Sequence, residues 1–158
     1  SLILKPFQTS MTCQNLLRHR EGVFHITDDV LLLSRTAIGQ SIENLAFQPA
    51  QSIRGNVIPA SCRAFEFIIQ DVNTSKDRAE MIAKVVAEHR FRDFFGFNRA
   101  KHAVLEAAIL ATRLHLLDQK EVLSDFARWR VIIDKTGGAQ EHEAMNILEQ
   151  YCREFHAK

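Results

Sequence analysis

Along residues 98–117, NRAKHAVLEAAILATRLHLL, apolar side chains recur every third or fourth position, with alanines at 103, 107, 108 and 111. This is the repeat of a helix that packs closely against its neighbours. The same period runs through KEVLSDFARWRVIIDK (120–135), closed by Gly137-Gly138, and through AQEHEAMNILEQYCREF (139–155). TSKDRAEMIAKVVAEHR (74–90) opens with Thr74 and has Asp77 three places on, the spacing of a capping box. Its Ile82, Val85, Val86 and His89 fall on one helical face. From Thr74 onward the pattern therefore predicts about four helices and no strand.

The first half reads differently. Leu2 to Leu4 is strand-like and stops at Pro6. Thr9 or Ser10 caps a short helix through Leu16 and Leu17, with Arg18, His19 and Arg20 at its negative end and Gly22 to close it. GVFHIT (22–27) alternates as a strand. In TDDVLLLSRTAIG (27–39), Thr27 or Asp28 caps a helix that Gly39 ends. Residues 40–61, with Pro49, Gly55 and Pro59, form a loop, and CRAFEFIIQDV (62–72) is a strand rich in Phe and Ile. The expected class is α+β.

Composition changes this picture little. The chain has 158 residues, 46% hydrophobic and 25% charged, with 20 basic against 19 acidic side chains. That is the balance of a globular domain, and it gives no bulk attraction for nucleic acid or an anionic membrane. The longest apolar tract is interrupted by Glu106 and Arg113 and is too short to span a bilayer. Cys13, Cys62 and Cys152 are scattered and odd in number, which points to reduced thiols in a cytoplasm rather than to a disulfide framework or a zinc site.

The candidate chemistry sits in LKPFQTSMTCQNL (4–16). Lys5 and the hydroxyls of Thr9, Ser10 and Thr12 crowd the predicted helix start, with no carboxylate among them and Asn15 one turn in. Exposed amides and the positive end of the dipole make such a tip an anion site, and hydroxyls and one lysine reinforce it. The same residues also serve as ordinary caps. A second cluster, Asn98, Arg99, Lys101 and His102, opens the helix after FFGF. Positive charge there calls for a nearby anion: a ligand, or acids such as Asp28 and Asp29 in an ion pair. Asp28-Asp29 itself reads as a cap. HEAMN (142–146) lacks the second histidine of HExxH, GQSIE (39–43) lacks the second glycine of a nucleophile elbow, and KTGG (135–138) is no P-loop. No metal site is expected, and no catalytic residue stands out.

The block LKPFQTSMTCQNL followed by EGVFHITDDVLLLSRTAIG resembles the flavin reductase-like, FMN-binding split-barrel proteins. FFGFNRAKHAVLEAAILATRLHLL and VIIDKTGG are similar to domain-of-unknown-function family 447 (DUF447), which joins a split barrel to a helical segment. The resemblance implies a cytoplasmic homodimer binding FMN non-covalently near the dimer interface, with Lys5, Thr9, Ser10, Thr12 and Asn15 at the phosphate end. Members begin with further barrel strands that help hold the isoalloxazine ring. The expectation is thus a partial split barrel over residues 1–73, lacking those strands, and a helical region over 74–158. It implies flavin-dependent oxidoreduction of unknown substrate. The alternative is a non-catalytic dimeric assembly module with a vestigial anion pocket.

Overall fold

The computed structural model describes residues 1–156. It divides into two compact units, one of residues 1–27 and 45–94, the other of residues 28–44 and 95 onward. The first unit holds strands β1 (Leu2–Leu4), β2 (Glu21–Ile26), β5 (Arg63–Asn73) and β6 (Glu80–Arg90) in one curled antiparallel sheet of order β1-β6-β5-β2. A short ribbon, β3 (Gln48–Pro49) with β4 (Asn56–Val57), and helix α1 (Met11–His19) complete it. This is the split-barrel α+β architecture that the resemblance implied.

The long β5–β6 hairpin dominates the sheet, and its register slips at Glu66/Phe67 and at Ile69/Asp71. Bulges of this kind bend strands and so curl the sheet. Helix α1 lays Cys13 and Leu16 on the concave face, against Phe67, Ile69, Ala79, Met81 and Ala83. Burying a leucine such as Leu16 contributes roughly 2 kcal/mol. Ser10 is the N-cap, and the helix ends at Arg20 in the left-handed conformation (φ 62°), not at Gly22. Gly22 has another role. A Cβ there would lie 2.8 Å from the Phe67 ring, so only glycine lets β2 pass so close.

The second unit packs helices α2 (Val30–Ala37), α3 (Arg99–Ala111), α4 (Gln119–Thr136) and α5 (Ala139–His156), with a 3₁₀ turn at Leu114–Leu116. Ala100, Ala103, Ala107, Ala108 and Ala111 are buried along α3. Their small side chains allow close approach, and Val122, Phe126, Ile133, Met145 and Leu148 fill the core around them. Asp29, not Thr27 or Asp28, caps α2.

One expectation is overturned. Residues 80–90 form no helix: β6 pairs with β5 on one side and β1 on the other. Its burial alternates, with Met81 and Ala83 fully buried and Ile82 exposed. Two flanking strands override the helix propensity of Glu, Met, Ala and Lys. The apparent capping box is a hairpin tip, where Asn73 Oδ1 accepts the Ser75 amide. A boundary after residue 73 therefore falls at the turn of a hairpin, and the sheet unit runs on to Phe94.

Candidate functional site

Around the start of α1 the chain builds a groove of about 400 Å³ lined by Ile3, Leu4, Lys5, Pro6, Thr12, Leu16, Gly22, Val23, Phe24 and Phe67. It is apolar except at its rim, where Lys5 and Thr12 lie. Phe67 can form its floor only because position 22 carries no side chain. Thr12 and Leu16 stand one helical turn apart and face it together.

The sequence-predicted residues are distributed as follows. Ser10 Oγ donates to the Phe7 carbonyl (2.7 Å) and accepts the Cys13 amide (3.2 Å), so its hydroxyl is spent on the cap. The first intrahelical bond is Gln14 N–H to Ser10 C=O, which leaves the amides of Met11 and Thr12 ahead of it. No acidic side chain stands in the first turn. Thr9 and Asn15 are exposed, and neither lines the groove. Lys5 Nζ lies 2.9 Å from Glu80 Oε2, and the Lys5 hydrogen bond and charge hold the Glu80 carboxyl below its ordinary range.

Of the second cluster only Lys101 parts from the others. Asn98 is the N-cap of α3, accepting the Lys101 amide at 3.0 Å. Lys101 turns inward: its Nζ meets Glu141 Oε1 at 2.9 Å, the Asp28 carbonyl at 2.8 Å and Gln140 Oε1 at 3.2 Å. Burial would raise the Glu141 carboxyl, but Lys101 and the Gly138 amide outweigh it and lower it. Asp28 accepts the Phe95 amide, and Asp29 accepts the Leu32 amide and the Gln140 side-chain amide. Arg99 and His102, together with Asn98, line a groove of about 470 Å³ with Phe97, Glu106, Trp129 and Ile132. The ion pair expected with Asp28 or Asp29, tying the helices to the barrel, is replaced at Lys101 by one with Glu141 inside the helical unit.

Sequence reading missed a buried network in the sheet unit. His25, Ala64 and His89 stand in one row across β2, β5 and β6, and Glu66 is two residues along on the same face. Glu66 is fully buried. It accepts the amides of Gln51 (2.7 Å) and Ser52 (2.6 Å) and meets His89 Nε2 at 2.6 Å. Burial would raise its carboxyl, yet those three partners hold it low. His25 Nε2 accepts the Ile58 amide at 2.9 Å, and burial, with a smaller contribution from His89, lowers its pKa. The network pins the 50–58 segment to the sheet. Only the strand register brings these groups together, so no local motif announces them. Among the described residues, no cluster of His, Cys, Asp or Glu has the geometry to hold a metal, and no helix is long and apolar enough to cross a membrane.

A curled antiparallel sheet carrying a capped helix over an apolar groove defines a protein of the split-barrel class. Residues 1–92 match the N-terminal domain profile of DUF447, a protein family of unknown function, and residues 98–150 match its C-terminal profile; the chain belongs to this family. Among solved structures, an FMN-bound DUF447 protein from Methanosarcina mazei is 19% identical, over 94% of this chain and 80% of its own, with a TM-score of 0.81. An FMN-binding protein from Thermus thermophilus (16% identity, 56% of this chain, 53% of its own) superimposes with a TM-score of 0.45. Nitrilotriacetate monooxygenase component B from Mycobacterium thermoresistibile (13%, 56% and 51%) gives 0.47. No curated protein matches.

Proposed function

We propose that this chain is an FMN-binding flavoprotein and that the groove beside α1 is its coenzyme site. The observation that carries the reading is the junction of an apolar groove with a helix tip whose own first turn carries no acid, where Thr12 and Lys5, the latter paired with Glu80, both line the groove. An isoalloxazine or ribityl portion suits Leu4, Leu16, Phe24 and Phe67, and a phosphate suits the tip. The Methanosarcina mazei relative, of the same family and fold, has FMN bound.

In this reading Lys5, Thr9, Thr12 and Asn15 surround the phosphate end with the Met11 and Thr12 amides. Ser10 positions the tip by capping it. A bound flavin supplies hydride or electron transfer, so oxidoreduction at this groove needs no acid–base side chain of the protein's own. Lys5 opposes negative charge next to the groove, and Phe67 keeps water from its floor. A homodimer in a reducing cytoplasm accords with the family resemblance and with three buried free thiols.

The assembly-module alternative draws on the exposed Leu116, Leu123 and Val131 of the helical unit. Titration of the purified full chain with FMN and with riboflavin, followed by flavin fluorescence, separates the two. The flavoprotein reading expects FMN to bind at least about tenfold tighter than riboflavin, since a charged group's hydrogen bonds are worth that much. Thr12→Ala should narrow the gap. Equal, weak binding of both flavins leaves the assembly role.

A further inference from the structure

On the far side of Lys5 lies a second, polar cleft of about 270 Å³, lined by Lys5, Asn73, Ser75, Lys76, Arg78 and Glu80. Three cationic side chains face one carboxylate. Glu80 meets Lys5 at 2.9 Å and also feels the charge of Lys76, so the cleft holds two more positive than negative side chains. The chain as a whole is almost neutral, so this is a local concentration of positive charge.

The tip that carries those cations is firmly held. Gln8 Nε2 donates to the carbonyls of Thr74 (2.9 Å) and Lys76 (2.6 Å), and the Gln8 amide donates to Asp77 C=O (3.1 Å). Asn73 closes a turn on the Ser75 amide at 2.9 Å. The Arg78 guanidinium stacks 3.8 Å over the Phe7 ring and spends one donor on the Lys5 carbonyl at 3.1 Å. A stacked guanidinium keeps its plane fixed and its remaining edge donors available for a forked contact. Among the described residues the Lys76 ammonium makes no hydrogen bond, its charge acting on Glu80 only from a distance, and Asn73 and Ser75 add neutral polar groups. Loops with unspent charge on the surface are usually free to swing; this one is tied at both ends to the segment that leads into α1.

We infer that the Lys76–Arg78 hairpin tip is an anion subsite that takes a phosphoryl group. Lys5 lines both this cleft and the apolar groove, so the two compartments meet at one side chain. A ligand with an apolar body and a phosphoryl end would span them. The phosphoryl has two sources: the terminal phosphate of the flavin itself, which would then lie across Lys5 from the α1 tip instead of on it, or a separate phosphorylated molecule beside a flavin whose own phosphate stays at the tip. The first source rests on the flavin reading; the anion chemistry of the cleft does not.

The test uses the full chain and inorganic phosphate, titrated at constant ionic strength with chloride as the balancing anion and followed by ³¹P line broadening. The wild type should bind phosphate saturably. Lys76→Ser should weaken it roughly tenfold, and Lys76→Arg should restore most of it, because one charged hydrogen-bonding partner is worth about that factor. The same variants are then titrated with FMN and riboflavin. If Lys76→Ser weakens FMN but not riboflavin, and phosphate competes with FMN, the flavin phosphate is the occupant. If FMN affinity is unchanged and phosphate still binds the FMN-loaded chain, a second phosphorylated ligand is. A chain that binds phosphate through Lys76 but no flavin keeps the subsite and loses the coenzyme assignment. Absence of saturable phosphate binding, or binding that Lys76→Ser leaves within about twofold, overturns the subsite.

Discussion

His89 Nε2 stands 2.6 Å from Glu66 Oε1, and that carboxylate is closed off from solvent altogether. Its other contacts are the amides of Gln51 and Ser52, so one side chain ties β5, β6 and the 50–58 segment together. Glu66→Ala strands a buried imidazole and two amides. The expected loss is about 3–5 kcal/mol, read as a lower midpoint in urea unfolding. Glu66→Gln keeps the shape and one acceptor and should lose less. Equal small losses for both would mean the network contributes little.

Acid should weaken the same region in a fixed order. The His25 pKa lies below its ordinary 6.5 in the folded chain. The unfolded state therefore takes up the proton first, and stability declines as pH falls from about 6.5 through the folded value. Glu66, held below 4.5, contributes a further loss as pH falls beneath that. Melting temperature measured from pH 8 to pH 5 should drop, and His25→Gln, whose amide oxygen can still accept the Ile58 N–H, should flatten the fall.

Ser10 and Thr12 should separate cleanly. Ser10→Ala removes a cap and should cost about 1 kcal/mol of stability. Thr12→Ala removes no side-chain hydrogen bond among the described residues and should leave the melting curve nearly unchanged while weakening FMN. A Thr12→Ala chain that is destabilised but binds FMN normally would reverse the assignment.

Gly22→Ala would place a methyl 2.8 Å from the Phe67 ring. Overpacking of this kind costs about 1–3 kcal/mol. The ring must move into the groove, so flavin affinity should fall together with thermal stability. Gly22→Ala paired with Phe67→Leu should recover stability.

Cys152 is buried, and its thiol is pushed up to about 11 by desolvation, with Glu149 adding to it. Thiolate is then scarce at neutral pH. Ellman's reagent should react with the native chain slowly, at rates that track unfolding, and fully in denaturant.

How far the sequence could be read depended on whether each signal was local. The helices of the second unit were legible from their period, and their alanine stripe from spacing alone. The strand at 62–72 showed itself through alternating Phe and Ile. Strand β6 did not: Met81, Ala83, Lys84 and Glu88 favour helix locally, and only pairing with residues far away in the chain makes them extended. That misreading hid Lys76 and Arg78, which a helix would have spread around its circumference. Of the side chains lining the candidate groove, Lys5 and Thr12 were singled out by their chemistry, along with Thr9, Ser10 and Asn15, which do not line it. Phe24, Phe67 and Gly22 were not, because a groove wall exists only once a sheet has curled. Lys101 was grouped with Arg99 and His102 by adjacency, whereas helix geometry sends neighbouring side chains to different faces.

Helix α2 lies in the second unit although its sequence interrupts the first, so the backbone crosses between the two at residues 27/28, 44/45 and 94/95. Neither unit can be cut out by a single scission. A truncation ending at Phe94 keeps the whole sheet but maroons α2, baring Val30, Leu31 and Ile38, which belong against the later helices. The interleaving means that loss of the tail also strips the cover from a helix encoded within the sheet unit's stretch of chain, and such a fragment should aggregate more readily than the intact molecule.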